Sequence, residues 1–349
     1  MLNAQRVALK GRAFQPCAPM VAVRGRRALA VRASGDDAFA NYKPTIAALF
    51  PGQGAQSVGM AKDLVATVPK AKEMFDKASE ILGYDLLKVC VEGPKEKLDS
   101  TAVSQPAIYV ASLAAVEKLR ADEGQAAIDA IDVACGLSLG EYTALAFAGA
   151  MSFEDGLRLV KLRGESMQAA ADAQPSSMVS VIGLDSAKVA ELCKAATEQV
   201  GQDKPVQIAN YLCPGNYAVS GSKEGCDAVE KLGKSFGARM TVRLAVAGAF
   251  HTSYMSPAVD KLKAALAQTN IVKPRIPVVS NVDAQPHSDP AVIKDILSRQ
   301  VTSPVLWENT IKSLQEKGLT KSYEVGPGKV IAGIVKRMDK GANIVNITA

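Results

Sequence analysis

The segment Ala130-Ile-Asp-Val-Ala-Cys135 runs directly into Gly136-Leu-Ser-Leu-Gly140, and a helical pattern carrying Tyr142, Leu145 and Ala146 follows. An apolar strand, a turn closed by two glycines and a helix with an apolar stripe leave few folds open. The strand needs neighbours in a sheet, the helix must cover one face of that sheet, and the glycines allow a turn too tight for Cβ atoms. The serine between them then lies at the N-terminus of the helix, its hydroxyl over the positive end of the helix dipole. This is the setting of a nucleophile elbow, in which G-x-S-x-G carries a reactive serine. The same five letters also spell an ordinary glycine-rich helix start, so Ser138 is a candidate on context rather than on the motif alone.

The rest of the chain alternates in the same way. Thr45 to Phe50 reads as a buried strand, and helical patterns run from Met60 to Val68 and from Ala71 to Leu82. Pro94 breaks the pattern; further helices are predicted over Pro106 to Leu119 and Phe153 to Ala171. Between about residues 173 and 246 the order changes to strand (Ser177–Gly183), helix (Ala187–Thr197), two strands around Pro214-Gly215-Asn216, helix (Lys223–Gly237) and strand (Met240–Val246). That βαββαβ order is the ferredoxin-like split βαβ unit, of roughly 70 residues. Short strands return at Pro277–Ser280 and Ser322–Val325, with helices between and after them. The expected fold class is therefore α/β: an open sheet over residues 45–172 and 247–349, with a small inserted domain over 173–246.

Charge adds a different kind of information. Residues 1–35 hold no Asp or Glu but seven basic residues, Arg6, Lys10, Arg12, Arg24, Arg26, Arg27 and Arg32. Removing those seven from the 41 basic residues leaves 34 against 35 acidic ones, so the net charge of +6 belongs to the leader. An Arg-rich, acid-free segment without a compact apolar stretch has the composition of an organellar transit peptide, here assigned to residues 1–34. The run Ala30-Val-Arg-Ala-Ser34 resembles plastid processing sites, which predicts cleavage near Ala33 to Ser34 and a stromal location. Mitochondrial import, and a basic tail that stays attached, are the alternatives. A chain that is 5% aromatic with one tryptophan offers no stacking platform for nucleic acid, and no run of 18 apolar residues predicts a membrane span. The six cysteines form no C-x-x-C pair, so free thiols are expected, and two histidines cannot build a His-rich metal site.

A serine hydroxyl needs a base at neutral pH. His287 lies in a polar turn, Asp283-Ala-Gln-Pro-His-Ser-Asp-Pro290; His251, in Gly248-Ala-Phe-His251, follows a predicted strand behind small residues and is the stronger candidate. Phe50-Pro-Gly-Gln-Gly54 ends the first strand in a turn, where the backbone N–H of Gln53 could join that of Leu139 in an oxyanion hole. Arg163 sits on the helix after Phe153, where a guanidinium fork could clamp a carboxylate or simply face solvent.

Six segments occur in a fixed order: Phe50-Pro-Gly-Gln-Gly-Ala-Gln56, Gly136-Leu-Ser-Leu-Gly-Glu-Tyr142, Arg163-Gly-Glu-Ser-Met-Gln168, Gly248-Ala-Phe-His251, Gln300-Val-Thr-Ser-Pro304 and Glu324-Val-Gly-Pro-Gly-Lys329. Together they resemble the malonyl-CoA:acyl carrier protein transacylases of dissociated fatty acid synthesis, from about Thr45 to the C-terminus. The resemblance implies an α/β-hydrolase-like core with a ferredoxin-like insertion. It implies Ser138 as the acylated residue, His251 as its base, Gln53 and Leu139 as oxyanion donors and Arg163 as partner of the malonyl carboxylate. Gln300 would orient the histidine through its main-chain carbonyl, with no carboxylate completing a triad. Malonyl-CoA and acyl carrier protein are the implied partners of a monomer that needs no metal or organic cofactor and has neither a membrane nor a nucleic-acid partner. A serine hydrolase of acyl thioesters, a carrier-binding subunit without activity and an acyltransferase of a polyketide pathway remain as alternatives. The chain departs from the pattern at Leu137 and Leu212, where relatives often place His and Asn, while Phe250 matches malonyl-selective acyltransferases.

Overall fold

The computed structural model describes residues 38–349. The leader of residues 1–34, its expected cleavage near Ala33 to Ser34, and Cys17 lie outside the described residues. Among the described residues nine strands form two sheets. In the larger, β1 (Ile46–Phe50), β2 (Val133–Gly136), β7 (Val278–Val279), β8 (Lys321–Gly326) and β9 (Ile344–Thr348) lie in the order β7-β2-β1-β8-β9, every pair parallel. In the smaller, β3 (Ser176–Ile182), β4 (Val206–Cys213), β5 (Asn216–Ser222) and β6 (Met240–Arg243) lie in the order β4-β5-β3-β6, every pair antiparallel. That is the strand order of a ferredoxin-like unit, and helices Ser186–Val200 and Lys223–Gly233 pack on it.

β1 shows why a strand of a doubly covered sheet reads as an unbroken apolar run. Successive side chains point to opposite faces. Ala48 and Phe50 enter the large core with Ile108 and Tyr142, whereas Ala47 and Leu49 enter a second core with Trp307 and Ile331. Both faces are buried, so no alternation with polar residues survives. The start of β1 is pinned by Asp132, whose carboxylate accepts from the backbone N–H groups of Thr45 and Ile46.

The strand order reverses between β1 and β8, and the carboxyl ends of β1 and β2 are level, with Phe50 paired to Gly136. Open α/β sheets bind ligands outside such carboxyl ends. Gln53 and Ser138 each lie only a few residues beyond them.

Several elements depart from the sequence-based expectation. The helix expected from Pro106 begins five residues earlier and spans Thr101–Glu123. Pro106 forfeits one backbone hydrogen bond but is itself buried, and so are most residues of this helix, whose burial outweighs the local penalty. β6 ends at Arg243 instead of Val246, and an irregular segment carries the chain to His251. β9 is an edge strand that no strong apolar pattern announces, since only Ile347 of its five residues is buried. Cys90, Cys135, Cys193, Cys213 and Cys226 are buried free thiols, and burial pushes those of Cys90 and Cys193 up to about 12.

Candidate active site

The turn after β2 explains both glycines of G-x-S-x-G by contact. A Cβ on Gly136 would lie 2.0 Å from the backbone of Gly140, and one on Gly140 would lie 2.1 Å from the carbonyl oxygen of Phe50. The helix Leu139–Phe147 can therefore start hard against the ends of β1 and β2 only with hydrogen at both positions. Neither glycine carries the unusual dihedral: Ser138 itself has φ 53° and ψ −103°. Asn281, just past β7, holds it there, accepting from the Ser138 N–H at 2.7 Å and donating to the Gly136 carbonyl at 2.8 Å. A non-glycine residue in this region costs on the order of 1–3 kcal/mol, which the surrounding bonds must offset.

His251 is the second strained residue, with φ 61°, and is 3% exposed. Its Nε2 lies 2.9 Å from Ser138 Oγ and its Nδ1 2.9 Å from the Gln300 main-chain oxygen. A carbonyl oxygen can only accept, so Nδ1 carries the proton and Nε2 is free to accept the serine hydroxyl's. Burial, reinforced by the nearby charge of Arg163, holds the imidazole pKa down at about 4. The imidazole is therefore neutral across the physiological range. Any reaction at the Ser138 hydroxyl that uses this imidazole as its base should stay level through pH ~6.5, where an unperturbed histidine would titrate, and fall only as pH approaches about 4. A rapid-quench profile with its limb near 6.5 would contradict this.

Arg163 departs from the solvent-facing alternative: it is 1% exposed. Its guanidinium packs 5.3 Å from the Tyr142 ring centroid. It donates to Gln105 Oε1 at 2.7 Å, to Gln300 Oε1 at 3.0 Å and to Ser138 Oγ at 3.0 Å. All three partners are neutral, and Nε has none. Burial lowers its pKa, but a guanidinium stays protonated throughout the working range. A buried cation with neutral partners and an unpaired N–H beside the Ser138 hydroxyl suits an anionic ligand.

Gln53, Leu139, Ser138, Arg163, Phe250 and His251 all line one cleft of about 220 Å³. The backbone N–H groups of Gln53 and Leu139 donate to no protein acceptor among the described residues. Leu137 and Leu212 make their part of the cleft apolar. Lys329 is exposed at the start of helix Val330–Met338, whose Val330 also lines the cleft. His287 bonds Asp283 at 2.8 Å in its own turn. Among the described residues no group of three His, Cys, Asp or Glu could hold a metal ion.

Three residues at the site have no role in the sequence reading: Gln105, Asn281 and Glu141. Glu141 lies inside the motif segment that ends at Tyr142, and its carboxylate accepts from Gln300 Nε2 at 2.6 Å and from the Asn281 N–H at 3.1 Å. Only partners far along the chain give these residues meaning.

The chain matches the acyl transferase domain family over residues 48–345. It is 44% identical over 302 residues to a mitochondrial malonyl-CoA-acyl carrier protein transacylase of Mus musculus, covering 84% of this chain and 79% of that protein. The chain belongs to the malonyl-CoA-acyl carrier protein transacylase family. A Bacillus subtilis member is 40% identical over 304 residues, covering 87% of this chain and 93% of that one. The solved structure of the Coxiella burnetii transacylase superposes with a TM-score of 0.82 at 35% identity, over 87% of this chain and 94% of that one. Like its family, the chain has an α/β fold with a parallel sheet and a smaller antiparallel one, and it is an acyltransferase.

Proposed function

We propose that this acyltransferase moves the malonyl group from malonyl-CoA to the phosphopantetheine thiol of acyl carrier protein, through a malonyl ester on Ser138, and so supplies fatty acid synthesis. The observation that carries the reading is the buried Arg163, 3.0 Å from a Ser138 Oγ that also faces the unprotonated Nε2 of His251. Malonyl differs from acetyl by one carboxylate, and a buried cation aimed at the nucleophile is what a selective site must offer.

In the first half-reaction Ser138 Oγ attacks the thioester carbon while His251 Nε2 takes its proton. The oxyanion forms against the Gln53 and Leu139 N–H groups. Collapse breaks the carbon–sulfur bond, and the imidazolium returns its proton to the leaving coenzyme A thiolate. A histidine this reluctant to hold charge is a strong acid once protonated, which favours that return. In the second half-reaction His251 takes the carrier thiol's proton, the thiolate attacks the ester, and Ser138 recovers its hydrogen. Both thiols end the same phosphopantetheine arm, so one cleft serves both halves of a ping-pong cycle. Gln300 holds the imidazole through its carbonyl. Phe250, beside the cleft, leaves little room for a branch on the acyl α-carbon.

Incubation with radiolabelled malonyl-CoA, followed by denaturing electrophoresis, tests the reading. Label should stay on the protein and leave when holo-acyl carrier protein is added. A protein that never takes label is a carrier-binding subunit and not an enzyme.

The domain limits belong to the same proposal: a catalytic core of residues 45–172 and 247–349 and a small domain of 173–246, working as a monomer. Residues 1–34 act as a transit peptide removed in the plastid stroma. Their seven basic and no acidic residues support import. The mature N-terminus should map near Ala33 to Ser34 in stromal protein. A fluorescent fusion found in mitochondria, the compartment of the Mus musculus relative, would overturn the plastid assignment.

A further inference from the structure

One buried charge has no part in the reaction as described. Glu141 lies three residues past the nucleophile and is 3% exposed. Its Oε2 accepts from Gln300 Nε2 at 2.6 Å. The same Nε2 donates to the Ser138 carbonyl at 3.0 Å, Gln300 Oε1 accepts from Arg163 at 3.0 Å, and the Gln300 main-chain oxygen holds His251 at 2.9 Å. Gln300 thus touches nucleophile, base and guanidinium together. The two ends of an amide have the same shape but opposite roles, since oxygen accepts and nitrogen donates. A carboxylate only accepts. Facing Glu141, Gln300 must present its nitrogen there, which leaves its oxygen toward Arg163.

We propose that Glu141 is a positioning residue whose buried carboxylate locks the Gln300 amide oxygen toward Arg163 and thereby holds the guanidinium at Ser138. The proposal rests on the reading of Ser138 as the malonylated residue and of Arg163 as the malonyl partner.

The charged and titratable groups that face Glu141 are Arg163 from helix Phe153–Ala173, Asp283 from beyond β7, Cys135 from β2 and Tyr142 from its own helix. Burial keeps Cys135 and Tyr142 protonated well above neutral pH. Burial also pushes the Glu141 carboxyl up to about 7. Below that pH the contact to Gln300 Nε2 loses its charge and the lock weakens to the bonds to the Ser138 carbonyl and from Arg163; above it the charge-assisted bond adds to them and the lock is fully set.

The experiment is rapid-quench mass spectrometry of acyl-enzyme formation from malonyl-CoA and acetyl-CoA, with wild type, Glu141→Gln, Glu141→Ala and Ser138→Ala. Glutamine at 141 keeps the size but can offer either oxygen or nitrogen. Malonylation of Glu141→Gln at high pH should fall about 10-fold, the worth of one charge-assisted hydrogen bond, while acetylation changes by less than about 3-fold. Glu141→Ala should lose more malonylation than Glu141→Gln. The wild-type malonyl-to-acetyl rate ratio should rise between about pH 6 and 8 and that of Glu141→Gln should stay flat, because His251 is common to both acyl groups and cancels. A wild-type ratio in Glu141→Gln, with Ser138 labelled normally, would overturn the Glu141 proposal alone. A flat wild-type ratio would do the same, and decides the matter if neither variant folds. Label on Ser138→Ala would overturn the underlying reading as well.

Discussion

Ser138→Ala should take up no malonyl group, and transfer to the carrier should fall by on the order of 10⁴- to 10⁶-fold, the range seen when a serine enzyme loses its nucleophile. The change removes one hydroxyl from a cleft wall. It breaks the bonds at 2.9 Å to His251 and 3.0 Å to Arg163, but water entering the cleft can replace both. The backbone at φ 53° is held by Asn281 and not by the side chain, so stability should change by no more than about 1 kcal/mol. Intact-protein mass after quenching reads the label, and thermal unfolding reads the fold. A labelled Ser138→Ala protein would refute the assignment.

Arg163→Ala should separate two substrates that differ by one charge. In the wild type the malonyl carboxylate would enter beside a cation with an unpaired N–H, whose present partners are all neutral. Without Arg163 that carboxylate would be buried alone. Losing one member of a buried charge pair costs about 2–5 kcal/mol, so kcat/KM for malonyl-CoA should drop about 10²-fold or more. Acetyl-CoA never uses the guanidinium, and its kcat/KM should fall far less or rise. The quantity to follow is the malonyl-to-acetyl ratio of kcat/KM in the two proteins. A constant ratio would mean that Arg163 serves the fold and that selectivity arises elsewhere.

How much of this site was legible in sequence depends on where each residue's partners lie. Ser138 and its glycines were legible because strand, turn and helix are contiguous, and the close approaches of Gly136 and Gly140 are met within that unit and by Phe50 at the end of the neighbouring strand. The βαββαβ order of the small sheet was legible for the same reason, each strand and helix being announced by its own period. The burial of Arg163 was not. Periodicity treats an arginine on an amphipathic helix as a solvent residue, and what encloses this one comes from Gln105 and Gln300, 58 and 137 residues away. Glu141 stood in plain view inside a motif but had no visible role, since the groups that use it, Asn281 and Gln300, are 140 and 159 residues distant. β9 is not legible in sequence because an edge strand with a single buried side chain has almost no hydrophobic signature.

Central to the proposed function is an acyl group that rests on Ser138 and moves to a thiol rather than to water. Peptide mapping of the quenched enzyme after malonyl-CoA, in buffer alone and after addition of holo-acyl carrier protein, measures both halves of that statement. The peptide containing Ser138 should carry malonyl, persistent in buffer and discharged to the carrier as malonyl thioester. Malonyl on any other residue, or its release as free malonate at the same rate with and without the carrier, would contradict the proposed function and leave a hydrolase in its place.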